Sequence, residues 1–344
     1  MAGIISRVSV IFLLLLHPTP LAHSQDPSPA RSEGALKFST DLVVVDAQVL
    51  SRKTGAVVSG LQREDFVLYE DGVRQEITHF SQDKLPLSIV LLLDLSWSVQ
   101  PMIEHIRNGA LRALQQLKPE DEVALMVFAT KVKLVQDFTQ DRKLVADEIA
   151  RVNETARVGR NTMLNEGVYR AATHLRQATN PVRRRVIIPI TDDVSSQLIF
   201  VGHSEKEVLE QLFEGGIVIY GVIVYRWEKI EKVMQYNPTR VLEKQLVRGS
   251  IKTYAHKTGG EVVGAKREEI EVKLAELIDH LRTRYSLGYV SSNTKQNGAF
   301  RKVKVKPSPE AEQREGKLTI LTKQGYYAPE RDRAGDHQER LSPP

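Results

Sequence analysis

The chain has 344 residues, a formal net charge of +5, and 41% hydrophobic and 26% charged residues, an ordinary globular composition with room for more than one domain. It contains no cysteine, which excludes disulfides, a catalytic thiol, a thiolate zinc site and a cysteine-linked lipid anchor. The basic runs at Arg183 to Arg185 and Lys302 to Lys306 are short and far apart, so they read as solvated strand edges rather than as a nucleic-acid surface.

Arg7 precedes the apolar stretch Val8 to Leu16, which is too short to span a bilayer, and small residues follow at Ala22 and Ser24. This pattern predicts a secretory signal peptide over residues 1–24 and an exported protein, periplasmic or extracellular. The alternative is an uncleaved N-terminal anchor. No later segment is apolar enough to cross a membrane. Residues 25–35 are a Pro/Ser linker. Residues 36–83 read as a small β module, with strands over 38–50, 67–69 and 74–81 and turns at Arg52 to Gly55 and Glu70 to Gly72.

From Pro86 the pattern changes. Leu87 to Leu93 is a near-continuous apolar strand, as in a sheet covered on both faces. Helical spacing follows over Met102 to Leu117, a buried strand over Val123 to Ala129, and helices over Asp141 to Val152 and Thr162 to Ala178. Arg185 to Thr191 reads as a strand, although Pro189 is awkward in a central one. Ser204 and Glu207 form a capping box for a helix that Gly215 and Gly216 stop. Ile217 to Val224 is a strand, Ile251 to Lys257 a helix ended by Gly259, Glu261 to Val263 a strand and Glu268 to Arg282 a helix. The alternation predicts an α/β domain over 85–284 with a doubly wound, mostly parallel, Rossmann-like sheet. Strands return within 285–328, over Tyr285 to Val290, Phe300 to Val305 and Lys317 to Thr322. These pair with the N-terminal module in one sandwich, stand as separate appendages, or extend the central sheet. Residues 329–344 form a polar tail expected to be disordered.

Doubly wound sheets place ligands at the carboxyl ends of their strands. There the apolar run of LLLDLSWSV stops at Asp94, and Ser96 and Ser98 follow at spacings of two. Thr162 opens a helix after Gly159-Arg160-Asn161, and Asp192 lies just past Thr191. Two carboxylates and three hydroxyls are hard oxygen donors, which suit Mg²⁺, Mn²⁺ or Ca²⁺ rather than zinc or copper. The plain alternative is an N-cap cluster opening the helix at Met102.

With these residues in place, the chain resembles the von Willebrand factor A domains, whose metal-ion-dependent adhesion site has Asp-x-Ser-x-Ser, a later Thr and a later Asp. They map to Asp94, Ser96, Ser98, Thr162 and Asp192, and the resemblance runs from about 85 to 284. The flanking VSGLQREDFVLYEDGVRQEITHFS, YSLGYV, FRKVKVK and GYYAP are similar to those of the bacterial VWFA-related domain family. The resemblance implies a divalent cation, Mg²⁺ first, and a protein partner that offers it an acidic group. Four positions depart from the pattern: Trp97 for Gly, Val99 for Met, Asn165 for Asp and Asp193 for Gly. None removes a ligand. Trp97, Asp193, Arg160 and Asn161 are candidates for the rim, with Asp193 expected to point away from the ion and Trp97 either to meet a partner or to pack on a neighbouring loop. Two other readings stay open: a scaffold or cell-envelope protein with a vestigial site, and a metal-dependent hydrolase. Against catalysis, the sequence has no His-Glu-x-x-His, no Gly-x-Ser-x-Gly and no phosphate loop. His105, His174 and His256 fall on helices as surface or packing residues.

Overall fold

The computed structural model describes residues 42–82, 85–178, 184–195, 201–224 and 249–330. The expected signal peptide, the linker and residues 331–344 of the tail lie outside them. Four strands come first: β1 (Leu42–Ser51), β2 (Phe66–Glu70), β3 (Val73–Gln75) and β4 (His79–Ser81). An alternating series follows: β5 (Leu87–Asp94), α1 (Ile103–Gln115), β6 (Glu122–Phe128), β7 (Val132–Thr139), α2 (Arg142–Thr155), α3 (Leu164–Leu175), β8 (Arg184–Thr191), α4 (Glu205–Glu214), β9 (Val218–Ile219), β10 (Gly221–Val224), α5 (Ile251–Thr258), β11 (Val262–Ala265) and α6 (Ile270–Arg282). The chain then runs through β12 (Tyr285–Val290), β13 (Phe300–Pro307), α7 (Pro309–Glu315), β14 (Leu318–Thr322) and β15 (Gly325–Tyr327).

The central sheet has the order β11-β10-β8-β5-β6-β7, with β9 also on β8. Its strands are parallel except for β7, which is antiparallel to β6. Every residue of β5 and β6 is buried, as their unbroken apolar runs require once helices cover both faces. Ile89, Leu91 and Leu93 share one core with Ile106 of α1, Ile149 of α2 and Leu277 of α6. Val90 and Leu92 point the other way, to Val168 of α3, Leu212 of α4 and Tyr254 of α5. The architecture is therefore the doubly wound one that the alternation predicts.

Three local differences have physical causes. Strand β7 carries a half-exposed, polar pattern, suited to an edge and easily read as a loop. The segment read as one strand over 217–224 breaks at Tyr220, and the amide of Tyr220 donates to Ile187 O at 3.0 Å. Ile187 thus faces that break, and by alternation so does Pro189, whose missing N–H falls where the neighbouring strand is interrupted. The segment read as one strand over 74–81 divides because the chain changes sheets: β3 pairs with β2, and β4 with β12.

The flanking strands form two four-stranded sheets, β14-β1-β12-β4 and β15-β13-β2-β3. They pack on one core that includes Val45, Val49, Phe66, Leu68, Leu287 and Val303. Strands from before and after the α/β series therefore interleave in one sandwich. A one-residue slip of β1 would turn Val45 and Val49 outward, at about 2 kcal/mol each. The Lys302–Lys306 run is not an edge. It lies in β13, an inner strand with Val303 and Val305 buried and the three lysines turned to solvent. The other basic run also differs from expectation: Arg184 is 5% exposed.

Candidate metal centre

Three loops meet at the carboxyl end of the central sheet. The first follows β5, where Asp94 is fully buried and a 3₁₀ turn covers Trp97–Met102. The second, residues 159–163, precedes α3. The third follows β8 at residues 192–195. Each pair of loops is tied by a hydrogen bond. Thr191 Oγ1 donates to Asp94 Oδ2 at 2.6 Å, the Trp97 amide donates to Arg160 O at 2.9 Å, and Ser195 Oγ donates to Thr162 O at 3.4 Å. The first tie follows from the sheet register: Leu93 pairs with Ile190, so the next residues, Asp94 and Thr191, stand side by side.

Asp94 has both oxygens engaged, since Oδ1 accepts the Ser96 amide at 2.8 Å. Burial pushes its carboxyl up to about 6 against the pull of the Ser96 and Thr191 bonds, and the nearby charge of Asp192 adds to the rise. Ser96 is buried and Ser98 half-buried, with their hydroxyl oxygens 3.1 Å apart. Two ligands on adjacent vertices of a Mg²⁺ octahedron lie about 2.9 Å apart, given metal–oxygen bonds of about 2.0–2.1 Å. Thr162 is 2% exposed, and half-buried Asp192 accepts the Val194 amide at 3.2 Å. Among the described residues, no group of three or more His, Asp or Glu side chains is placed to hold a metal. A cation bound here would draw on hydroxyls as well as carboxylates, and hard oxygens of this kind are the donor chemistry that suits a divalent ion such as Mg²⁺.

The second loop is shaped by Gly159, which adopts φ +95°. A Cβ there would lie 2.5 Å from Thr130 Oγ1. That oxygen accepts the amides of Arg160 at 3.1 Å and Asn161 at 3.0 Å, so the close approach of the glycine fixes the run that leads into Thr162. The helix expected from Thr162 begins only at Leu164, with the Met163 amide bonded to Ala129 O at 3.0 Å.

The departures from the usual pattern also have definite places. The Asp193 carboxylate accepts Ser250 Oγ and the Ile251 amide, both at 2.7 Å, at the start of α5. Asn165 is buried; its Oδ1 accepts the Tyr254 hydroxyl at 2.6 Å and its Nδ2 donates to His203 O at 3.0 Å. These two residues brace the third loop and α5 from behind. Trp97 is 67% exposed and Val194 54% exposed, with Arg160 and Asn161 also exposed. The residue that sequence reasoning left without a role is Thr191. Its position at the end of β8, next to Asp192, was the available signal.

Residues 89–195 match the model of the von Willebrand factor type A domain. No curated protein matches the sequence. Among solved structures, the chain is similar to the conserved hypothetical protein BatB from Bacteroides thetaiotaomicron, with 18% identity and a TM-score of 0.44 over 57% of this chain and 97% of that one. It is also similar to an aerotolerance-related membrane protein from Bacteroides fragilis NCTC 9343, with 14% identity and a TM-score of 0.39 over 56% and 98%. A third similarity is to proximal thread matrix protein 1 from the mussel byssus, in a structure with a zinc-occupied MIDAS motif. There the identity is 15% and the TM-score 0.43, over 58% of this chain and 49% of that one.

Proposed function

The chain carries a von Willebrand factor type A domain, and from that premise we propose that its three carboxyl-end loops bind a divalent cation, Mg²⁺ first, and through it an acidic group of a partner protein. The observation that carries this reading is the mutual tying of the three loops that present Asp94, Ser96, Ser98, Thr162 and Asp192. Domains of this family generally serve adhesion or interaction. The leader-like residues 1–24 support an exported module, periplasmic or extracellular.

Ser96, Ser98 and Thr162 would hold the ion, with Asp94 and Asp192 beside them directly or through water. When bound, the ion supplies a Lewis-acidic position that an outside oxygen can complete. The chain's own residues tune the rest. Asp94 is held by Thr191 and the Ser96 amide, and a donor set of three neutral hydroxyls and only two carboxylates is poor in negative charge, which favours an incoming carboxylate. Asp193 spends its carboxylate on α5. Arg160 offers a positive charge to an acidic partner, and the exposed indole of Trp97 offers an apolar lip beside it.

Calorimetric titration of the purified protein with Mg²⁺ and Mn²⁺ tests this. Binding should fall roughly a hundredfold or more in Asp94→Ala. Capture on immobilised protein should then retain a partner with Mg²⁺ and release it with chelator. A wild-type protein that binds neither ion would favour the scaffold with a vestigial site.

A further inference from the structure

A cleft of about 280 Å³ lies at the other end of the central sheet, where β8 and β9 begin and the sandwich abuts them. Arg184 and Arg185 line it from the first residues of β8, and Lys323 from the residue after β14, which bridges to Thr258. Among the described residues one carboxylate lines the cleft, Asp46 of β1, and each of its oxygens accepts a hydrogen bond. Its Oδ2 accepts Arg184 Nε at 2.9 Å and its Oδ1 accepts Ser286 Oγ at 2.8 Å.

The cations keep unused capacity. Arg184 is 95% buried; its Nη1 donates to Leu281 O at 3.4 Å, while its Nη2 is buried with no hydrogen-bond partner among the described residues. Arg185 donates through Nη1 to Gly215 O at 3.1 Å, and its Nε is likewise buried and without a partner among the described residues. The Lys323 ammonium lies 5.8 Å from the Tyr326 ring centroid. Burial pushes that ammonium below the ordinary lysine range, against the attraction of Asp46. Unpaired buried donors are rare in native folds. Asp46 pairs with Arg184, and neither Arg185 nor Lys323 forms a salt bridge among the described residues, so positive charge on this wall exceeds negative. The facing wall is apolar, built from Val44, Leu212, Phe213 and Val218.

We propose that this cleft binds a small organic oxyanion, a carboxylate or phosphate head on a short apolar body. The guanidinium groups of Arg184 and Arg185 and the Lys323 ammonium, which line the cleft, would take the head through charge-assisted hydrogen bonds. The wall around Phe213 would take the body. The site is separate from the metal loops and does not depend on them.

The test is thermal unfolding and calorimetry of the purified protein, without added divalent metal, against hexanoate and hexyl phosphate, with acetate and inorganic phosphate as the heads alone. The expected result is saturable binding and a raised Tm with at least one of the two alkyl oxyanions, in excess of its bare head, and the better of the two identifies the head. Lys323→Met should fold, since it removes a half-buried charge at similar size, and should weaken that binding about tenfold. Lys323→Arg should restore it. Equal binding by Lys323→Met with an unchanged circular dichroism spectrum would overturn the proposal. So would heads that bind as tightly as their alkyl forms, or no stabilisation by any of the four.

Discussion

The two ends of the central sheet are built from the same strands and do opposite things. At the carboxyl end, β5 and β8 run out into loops whose ties are to one another, through Asp94 and Thr191, Trp97 and Arg160, and Thr162 and Ser195. At the amino end, polar side chains bond across to the sandwich. Arg184 pairs with Asp46, and Tyr220 donates to Gln48 Oε1 at 2.6 Å. Arg284, fully buried, bonds the Tyr220 hydroxyl, the Gly259 carbonyl and the Asp46 carbonyl. The Gln324 amide adds a backbone bond to Lys257 O at 2.9 Å. The oxygens of Asp94, Ser96 and Thr162 are buried at the base of these loops while Trp97, Arg160 and Asn161 on their rim are exposed, and exposed loops add little stability of their own. The anchored amino end supplies that stability elsewhere.

The sharpest challenge to this contrast is Arg284→Ala. It removes a buried side chain and strands the carbonyls of Gly259 and Asp46, so urea unfolding should report a loss of about 3 kcal/mol or more. Mg²⁺ affinity, measured where the variant is folded, should stay within about twofold. A collapse of metal binding in the folded variant would show that the two ends are not independent. Gly159→Ala strikes the opposite end. The strained φ and the approach to Thr130 should cost about 1–3 kcal/mol, and the displaced loop should weaken Mg²⁺ binding by more than the loss in stability explains. Unchanged affinity would mean that Thr162 does not depend on this loop.

The smallest effect belongs to the sandwich alone. Burial raises the Glu70 carboxyl, but bonds from Ser291, Tyr289, Tyr326 and Arg301 outweigh it and hold the group below the ordinary glutamate value of 4.5. A lowered carboxyl contributes stability above its unfolded pKa and loses it as pH falls through the folded value. Tyr289→Phe deletes the donor 2.7 Å from Glu70 Oε2. It should cost about 1 kcal/mol at neutral pH and move acid unfolding, followed by circular dichroism, to higher pH. An unmoved acid midpoint would mean that Glu70 does not govern acid stability.

Much of the molecule was legible in the sequence, because burial on both faces writes itself as unbroken apolar runs. Leu87 to Leu93 and Val123 to Ala129 could hardly be anything else. The capping box of Ser204 and Glu207 is present as read, and Gly259 ends α5 as read, doing so in the left-handed conformation. What was hidden depends on partners far away in the chain. Arg184 sits in a run of three arginines that looks solvated, and a carboxylate 138 residues earlier accounts for its burial. The bond from Thr191 to Asp94 spans 97 residues and follows only from the register of β5 against β8. The short α7 was passed over although Ser308 caps it and Pro309 opens it, because seven residues carry too little periodicity to read.

The pairing of β4 with β12 has a mechanical consequence. The chain leaves the sandwich at residue 82 and re-enters at Tyr285, on neighbouring strands, so the α/β domain is a side branch of the polypeptide. Tension applied between residue 42 and residue 330 is carried by the sandwich strands and bypasses the loops that hold Asp94 and Ser96. A pull applied at those loops loads the branch instead, and that load reaches the sandwich through the two adjacent strands and the bonds of Arg184, Tyr220 and Arg284 to β1.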